Sequence, residues 1–200
     1  MRLKATWLGA ALPVTLSLLA ASPALSGQQD TTRAAASSDP RPFSILVDLS
    51  ERQLYVRRGD DVIETFQVAV GTDAHPTPKG TYRIRKIVWN PRWVPPDEKW
   101  ARGKRPQPPG SPNNPMGRVK LFFVEPDYYI HGTRNEESLG QAESHGCVRM
   151  RNPEVIRLAT SVMENGGEQR PPSWFRRVIN RVTHTEQVQL PQPVQVTIRE

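Results

Sequence analysis

Residues 90–118 hold eight prolines: Pro91, Pro95, Pro96, Pro106, Pro108, Pro109, Pro112 and Pro115. Proline fixes φ and removes a backbone donor, so neither a helix nor a central strand runs through such a segment. The regular part of any fold must therefore lie on either side of it, with this segment laid across. A connection of that length inside a small domain is either functional or disordered. Trp93 and Trp100 argue for order, because large apolar rings gain by burial. The expectation is an ordered flap that shapes a groove.

The flanks read as short strands. Ile45, Val47 and Leu49 alternate, then Leu54 and Val56, then Phe66, Val68 and Val70 within a run from Val62. Turns fall at Ser50-Glu51-Arg52 and Gly59-Asp60. Period-two alternation with tight turns is the mark of antiparallel sheet. Pro76, Pro78 and Gly80 make 71–80 a loop, after which Tyr82, Ile84 and Ile87–Trp89 form another strand. Beyond the proline segment, Val119–Val124 and Tyr128–Ile130 are strands that deliver His131 to a strand end. Asn152-Pro153 is expected to cap and open a helix over 153–163, which Gly166-Gly167 stops. Ser173 is expected to cap a second helix, with Trp174, Phe175, Val178, Ile179 and Val182 inward. Val188, Leu190, Val194, Val196 and Ile198 close the domain as strands. The fold class is mainly β, a sandwich with a few short helices and a long proline-rich loop.

The amino terminus reads as an address. Arg2 and Lys4 precede an apolar run over 8–21, and Ala20, Ala21, Ser22, Ala24 and Ser26 follow. That is the layout of a secretory signal, and the run is shorter than the roughly 20 residues of a spanning helix. The expected parts are a signal peptide at 1–26, a disordered linker at 27–42 and one domain at 43–198. The chain carries a formal charge of +7, and losing Arg2 and Lys4 with the signal leaves +5. Its basic residues are scattered, with no helix-turn-helix or zinc-finger spacing, which counts against nucleic acid as a partner. An anionic cell envelope suits them, as does a solvated face without a partner. The expected location is the periplasm or cell envelope.

Export bears on Cys147, the single cysteine in the chain. One thiol cannot form an internal disulfide, and exported proteins that use cysteine structurally usually carry pairs. Cys147 lies in Ser144-His145-Gly146-Cys147-Val148-Arg149-Met150, downstream of His131-Gly132-Thr133. A free thiol titrates at about 8.5, so a nucleophilic cysteine needs a base beside it. Serine nucleophiles in Ser-x-x-Lys or Gly-x-Ser-x-Gly are absent, as are His-Glu-x-x-His and paired-cysteine metal spacings. Cysteine acyl transfer then assigns parts. Cys147 is the nucleophile and His131 the acid–base. Gly146 and Cys147 amides are placed to donate to an oxyanion, and Arg149 to grip a carboxylate. His145 reads equally as a structural hydrogen-bonder, Arg149 also as a surface charge, and Ser144 as a turn former.

These residues resemble the signature of the L,D-transpeptidases with a YkuD-type catalytic domain. The resemblance covers about residues 43–198. It includes Gly71, Thr77-Pro78, Gly80, Asn90-Pro91, Trp93, Pro95-Pro96, Pro109-Gly110, Asn114-Pro115-Met116-Gly117, Leu190-Pro191 and Pro193-Val194. Ser111-Pro112, Met116 and the ending Arg199-Glu200 depart from common family patterns, away from the catalytic positions. The resemblance implies a β-sandwich and a cysteine acyl enzyme acting on peptidoglycan stem peptides. Cys147 would attack the carbonyl of the third residue, a diamino acid, and expel the fourth, a D-alanine. An amine of a second stem would take the acyl group, giving a 3→3 crosslink. His131 would be the base, oriented by a backbone carbonyl. Ser144, His145, Gly146, Arg149, Gly132 and Thr133 would form the oxyanion and substrate-binding surroundings. It also implies reaction with carbapenems, no metal and no cofactor. The chain is expected to act as a monomer. Water as acceptor would give an L,D-carboxypeptidase, and a protein lysine would give attachment or release of an outer-membrane protein. The non-enzymatic reading is a wall-binding module with an inactive site.

Overall fold

The computed structural model describes residues 40–200. The signal expected at 1–26 and the linker through residue 39 lie outside the described residues. The strands are β1 (Phe43–Asp48), β2 (Gln53–Arg58), β3 (Asp61–Gln67), β4 (Val70–Gly71), β5 (Gly80–Trp89), β6 (Val119–Val124), β7 (Tyr128–Thr133), β8 (Ala142–Ser144), β9 (Val148–Arg151) and β10 (Glu186–Arg199). Two α-helices accompany them, α1 (Asn152–Asn165) and α2 (Pro172–Asn180), with short 3-10 turns at Lys99–Ala101 and Glu136–Ser138. The mainly β class with short helices is what the alternation predicts.

Eight strands form one sheet in the order β3-β2-β1-β10-β5-β6-β7-β9, and β4 pairs with β8 separately. The sheet closes on itself. Ala69, just beyond β3, exchanges both backbone hydrogen bonds with Arg149 of β9, at 3.0 and 2.9 Å. Alternation places one face of each strand in a common interior: Leu54 and Val56 of β2, Ile84 and Ile87 of β5, Leu121 of β6, Ile130 of β7, Val148 and Met150 of β9. Burying each such side chain contributes about 1.5–3 kcal/mol. Val155, Leu158, Ala159, Val162 and Met163 bring the apolar face of α1 onto the same core.

Several local expectations are corrected. The run from Val62 does not continue to Val70 as one strand. It breaks after Gln67, because Val68 and Ala69 turn to bond with Arg52 and Arg149. His131 lies inside β7, which runs on to Thr133 by pairing in parallel with β9. Asn152 does not cap α1, since Arg151 holds the cap position. The Asn152 side chain instead donates to the Thr133 carbonyl and accepts from the Arg118 N–H. Ser173 sits in the first turn of α2 without a capping bond, and Val182 falls beyond that helix, half-buried.

The proline-rich segment is ordered by side-chain amides that stand in for the missing ladder. Asn90, buried and at φ 46°, donates to the carbonyls of Val178, Arg181 and His184. Asn114 donates to those of Pro91 and Pro108, and Trp93 exchanges backbone bonds with Gln107. Arg118 closes the segment by donating to the Asn90 side chain and the Ile179 carbonyl.

Candidate active site

Parallel pairing of β7 with β9 explains the spacing of the two motifs. Parallel neighbours need a crossover, and residues 134–147 provide it. In register, Ile130 faces Val148 and His131 faces Arg149, so Cys147 arrives at the head of β9 beside the strand that carries His131.

Ser144 builds the loop before the thiol. It is buried; its hydroxyl donates to the Cys147 carbonyl at 2.5 Å and accepts from the Gly146 N–H at 3.1 Å. Gly146 has φ +99°, and a Cβ there would stand 2.7 Å from the Tyr128 ring, so glycine is required twice over. The expected pair of oxyanion donors is thereby corrected. The Gly146 N–H is turned into the loop, whereas the Cys147 N–H bonds to no protein group among the described residues.

His131 is buried, with Nδ1 2.7 Å from the Gly132 carbonyl oxygen. Nδ1–H donating there leaves Nε2 as the basic nitrogen. Burial, Arg149 and Lys120 push His131 down to about 3, against the pull of the Gly132 and Met116 carbonyls, so the resting imidazole is neutral. Gly132 therefore acts by orienting the histidine. Thr133 does not reach the site: its hydroxyl accepts from the Asn135 N–H at 3.1 Å.

Cys147, partly exposed, and His131 line one cavity of about 970 Å³ with Ser144, His145 and Arg149. The flap forms its other wall through Trp93, Pro95, Pro96 and Trp100, as a groove-shaping segment should. The Cys147 thiol points at the Asp127 carbonyl, 3.5 Å away. Burial holds this thiol above its ordinary range, although Tyr129 and the charges of Lys120 and Arg149 pull it part of the way down. Arg149 is half-buried; desolvation lowers its guanidinium from its ordinary value, while Cys147 and Glu143 oppose that shift. His145 is exposed and stacks on Trp100, centroids 4.0 Å apart, with His75 at 4.9 Å. Its imidazolium is disfavoured by partial burial and by His75, Arg149 and Lys104.

Sequence reasoning missed Lys120, Tyr129, His75, Trp100 and Lys104 on the cavity wall. The signal was available for two of them. Leu121 and Phe123 face the core, so Lys120 and Phe122 face the other side, as do Tyr129 and His131 around Ile130. Trp100 sits in a single 3-10 turn and His75 in a loop, both too short for periodicity to mark direction.

Residues 42–183 match the family model described as the L,D-transpeptidase catalytic domain, YkuD. The chain belongs to this family. The YkuD protein of Bacillus licheniformis, itself provisionally named an L,D-transpeptidase, is 32% identical over 156 residues, covering 75% of this chain and 81% of that one. The ErfK/SrfK protein of Escherichia coli K12, also provisionally named, is 29% identical over 126 residues, 59% of this chain and 40% of that one. In structure, the catalytic domain of the E. faecium L,D-transpeptidase is similar at a TM-score of 0.50 with 14% identity, covering 79% of this chain and 97% of that one. At that identity the likeness concerns the fold, which is the expected one. Among the described residues no helix is long and apolar enough to cross a membrane.

Proposed function

We propose that this YkuD-family chain is a peptidoglycan L,D-transpeptidase that works through an acyl enzyme on Cys147. One observation carries the reading: a lone thiol and a buried, neutral histidine held by a backbone carbonyl open onto the same cavity. A neutral imidazole can take the thiol proton during attack, and a histidine already protonated cannot. Sulfur adds to the carbonyl of the third stem residue, and His131 returns the proton to the departing D-alanine amine. The amine of a second stem then attacks the thioester, loses its proton to His131 and releases Cys147, leaving a 3→3 crosslink. The Cys147 N–H is aimed at the developing oxyanion. Arg149 suits a substrate carboxylate. Carbapenems, as acylating amides, would trap the same sulfur.

The chain is exported and works at the cell envelope as a monomer, which is where its substrate lies. Water or a protein lysine can relieve the same thioester, so the acceptor is read from products. Purified enzyme incubated with disaccharide-tetrapeptides is expected to give crosslinked dimers by mass spectrometry. Free tripeptide alone would make the enzyme an L,D-carboxypeptidase, and transfer to a lysine peptide would make it a protein-attaching enzyme. Equal turnover by Cys147→Ala would overturn the acyl-enzyme reading, and no turnover by either form would favour a wall-binding module.

A further inference from the structure

Lys120 is a cation without an acid. It lies on β6 directly across from His131 in register. It is half-buried on the cavity wall, and no carboxylate stands within ion-pair distance of it among the described residues. Aromatic faces hold it instead: its ammonium is 4.2 Å from the Tyr129 ring centroid and 5.9 Å from that of Phe122. Tyr129 in turn bears on the Cys147 thiol, which its backbone and phenol pull down. Lys86, on β5, sits 4.4 Å from the other ring of this row, Phe122, and is itself paired with Glu125. A half-buried charge with only π-faces around it is incompletely compensated. The anion that shares the cavity wall with it is the Cys147 thiolate.

We propose that Lys120 is the standing counter-ion of the Cys147 thiolate, a positioning residue that sets how much thiolate exists before substrate arrives. It rests on the reading of Cys147 as nucleophile. The division of labour follows from burial. His131 resists positive charge, so it does not pair with the sulfur anion as an imidazolium, and Lys120 and Arg149 are the cations that draw the thiol down against burial. The charged and titratable groups around Cys147 are Lys120 on β6, Tyr129 on β7, Asp127 before β7, and Arg149 on β9, whose own neighbour is Glu143 of β8, with His131 and His145 on the same cavity wall. Lys120 is pushed down to about 8, chiefly by burial and also by Lys86, and the thiolate pulls it back up. Loss of its proton above that pH would release the sulfur from its partner. Arg149 remains as a second cation, so removing Lys120 weakens the thiolate without abolishing it.

The test is the pH profile of Cys147 alkylation by iodoacetamide, followed by intact mass, which is unambiguous because the chain has one cysteine. Lys120→Met is expected to move the alkylation midpoint upward, and the rate at neutral pH to fall about tenfold for each pH unit that the midpoint rises. Lys120→Arg is expected to restore the midpoint. Lys120→Gln serves the same purpose should Lys120→Met lose its near-ultraviolet circular dichroism. An unmoved midpoint in folded Lys120→Met or Lys120→Gln would overturn the proposal. So would a change confined to KM for stem peptide, which would make Lys120 a carboxylate anchor. Failure of the underlying reading looks different: wild-type enzyme would alkylate normally yet form no acyl enzyme with any stem peptide or carbapenem.

Discussion

Ser144→Ala isolates the loop that presents the thiol. The hydroxyl satisfies two groups at once, accepting from the Gly146 N–H at 3.1 Å and donating to the Cys147 carbonyl at 2.5 Å. Alanine removes both bonds with little change of volume. Each bond contributes about 1 kcal/mol net, and a buried group left unpaired costs about 1–3 kcal/mol, so about 2–3 kcal/mol is expected in all. Gly146 at φ +99° is held in this conformation partly by the Ser144 hydroxyl, so the Cys147 amide should also lose its aim. Urea denaturation followed by tryptophan fluorescence reads the first effect, and the rate of carbapenem acylation by intact mass reads the second. The expected result is a lower urea midpoint together with an acylation rate reduced about tenfold or more. A stability change below about 0.5 kcal/mol with unaltered acylation would refute the claim that Ser144 fixes the loop.

His131 makes stability depend on pH with a definite sign. Its folded value is about 3, below the free value of 6.5, so between those limits the unfolded chain binds the extra proton. Stability is fully present above 6.5 and falls as pH drops toward 3, by at most about 1.4 kcal/mol per pH unit. Urea midpoints across that range should show the slope in wild type, less of it in His131→Gln. Asn90→Ala removes three carbonyl contacts beneath the flap and should cost about 2–3 kcal/mol, with faster limited proteolysis within residues 90–118. Trp100→Ala removes the stack on His145 and the face beneath Lys104, and should raise KM for stem peptide several-fold with the melting temperature nearly unchanged.

Much of this was legible in sequence, for physical reasons that differ by element. Leu54 and Val56 alternate because β2 has one face in the core, and such a pattern survives in any context. The proline segment announced its irregularity by composition, and its order by tryptophan. The short strands β8 and β9 were not legible. Four residues such as Val148–Arg151 owe their strand form to β7, and no local propensity records a partner. Asn152 misled because capping and cross-strand bonding use the same side chain. Which residues bear on Cys147 was only half visible. His131 stands in its own motif, whereas Lys120 reaches the site through strand pairing, which a linear pattern does not display. Thr133 shares the face of His131 on β7, but it lies at the far end of the strand with its hydroxyl tied to the Asn135 N–H.

The central claim is that Cys147 carries the stem peptide covalently. Intact-mass spectrometry of the enzyme, quenched in acid within the first turnovers on disaccharide-tetrapeptide, tests it most directly. The predicted result is a mass increase equal to the stem less its D-alanine, mapped to Cys147 and absent from Cys147→Ala. Release of D-alanine at the wild-type rate by Cys147→Ala, or an adduct mapped to another residue, would contradict it.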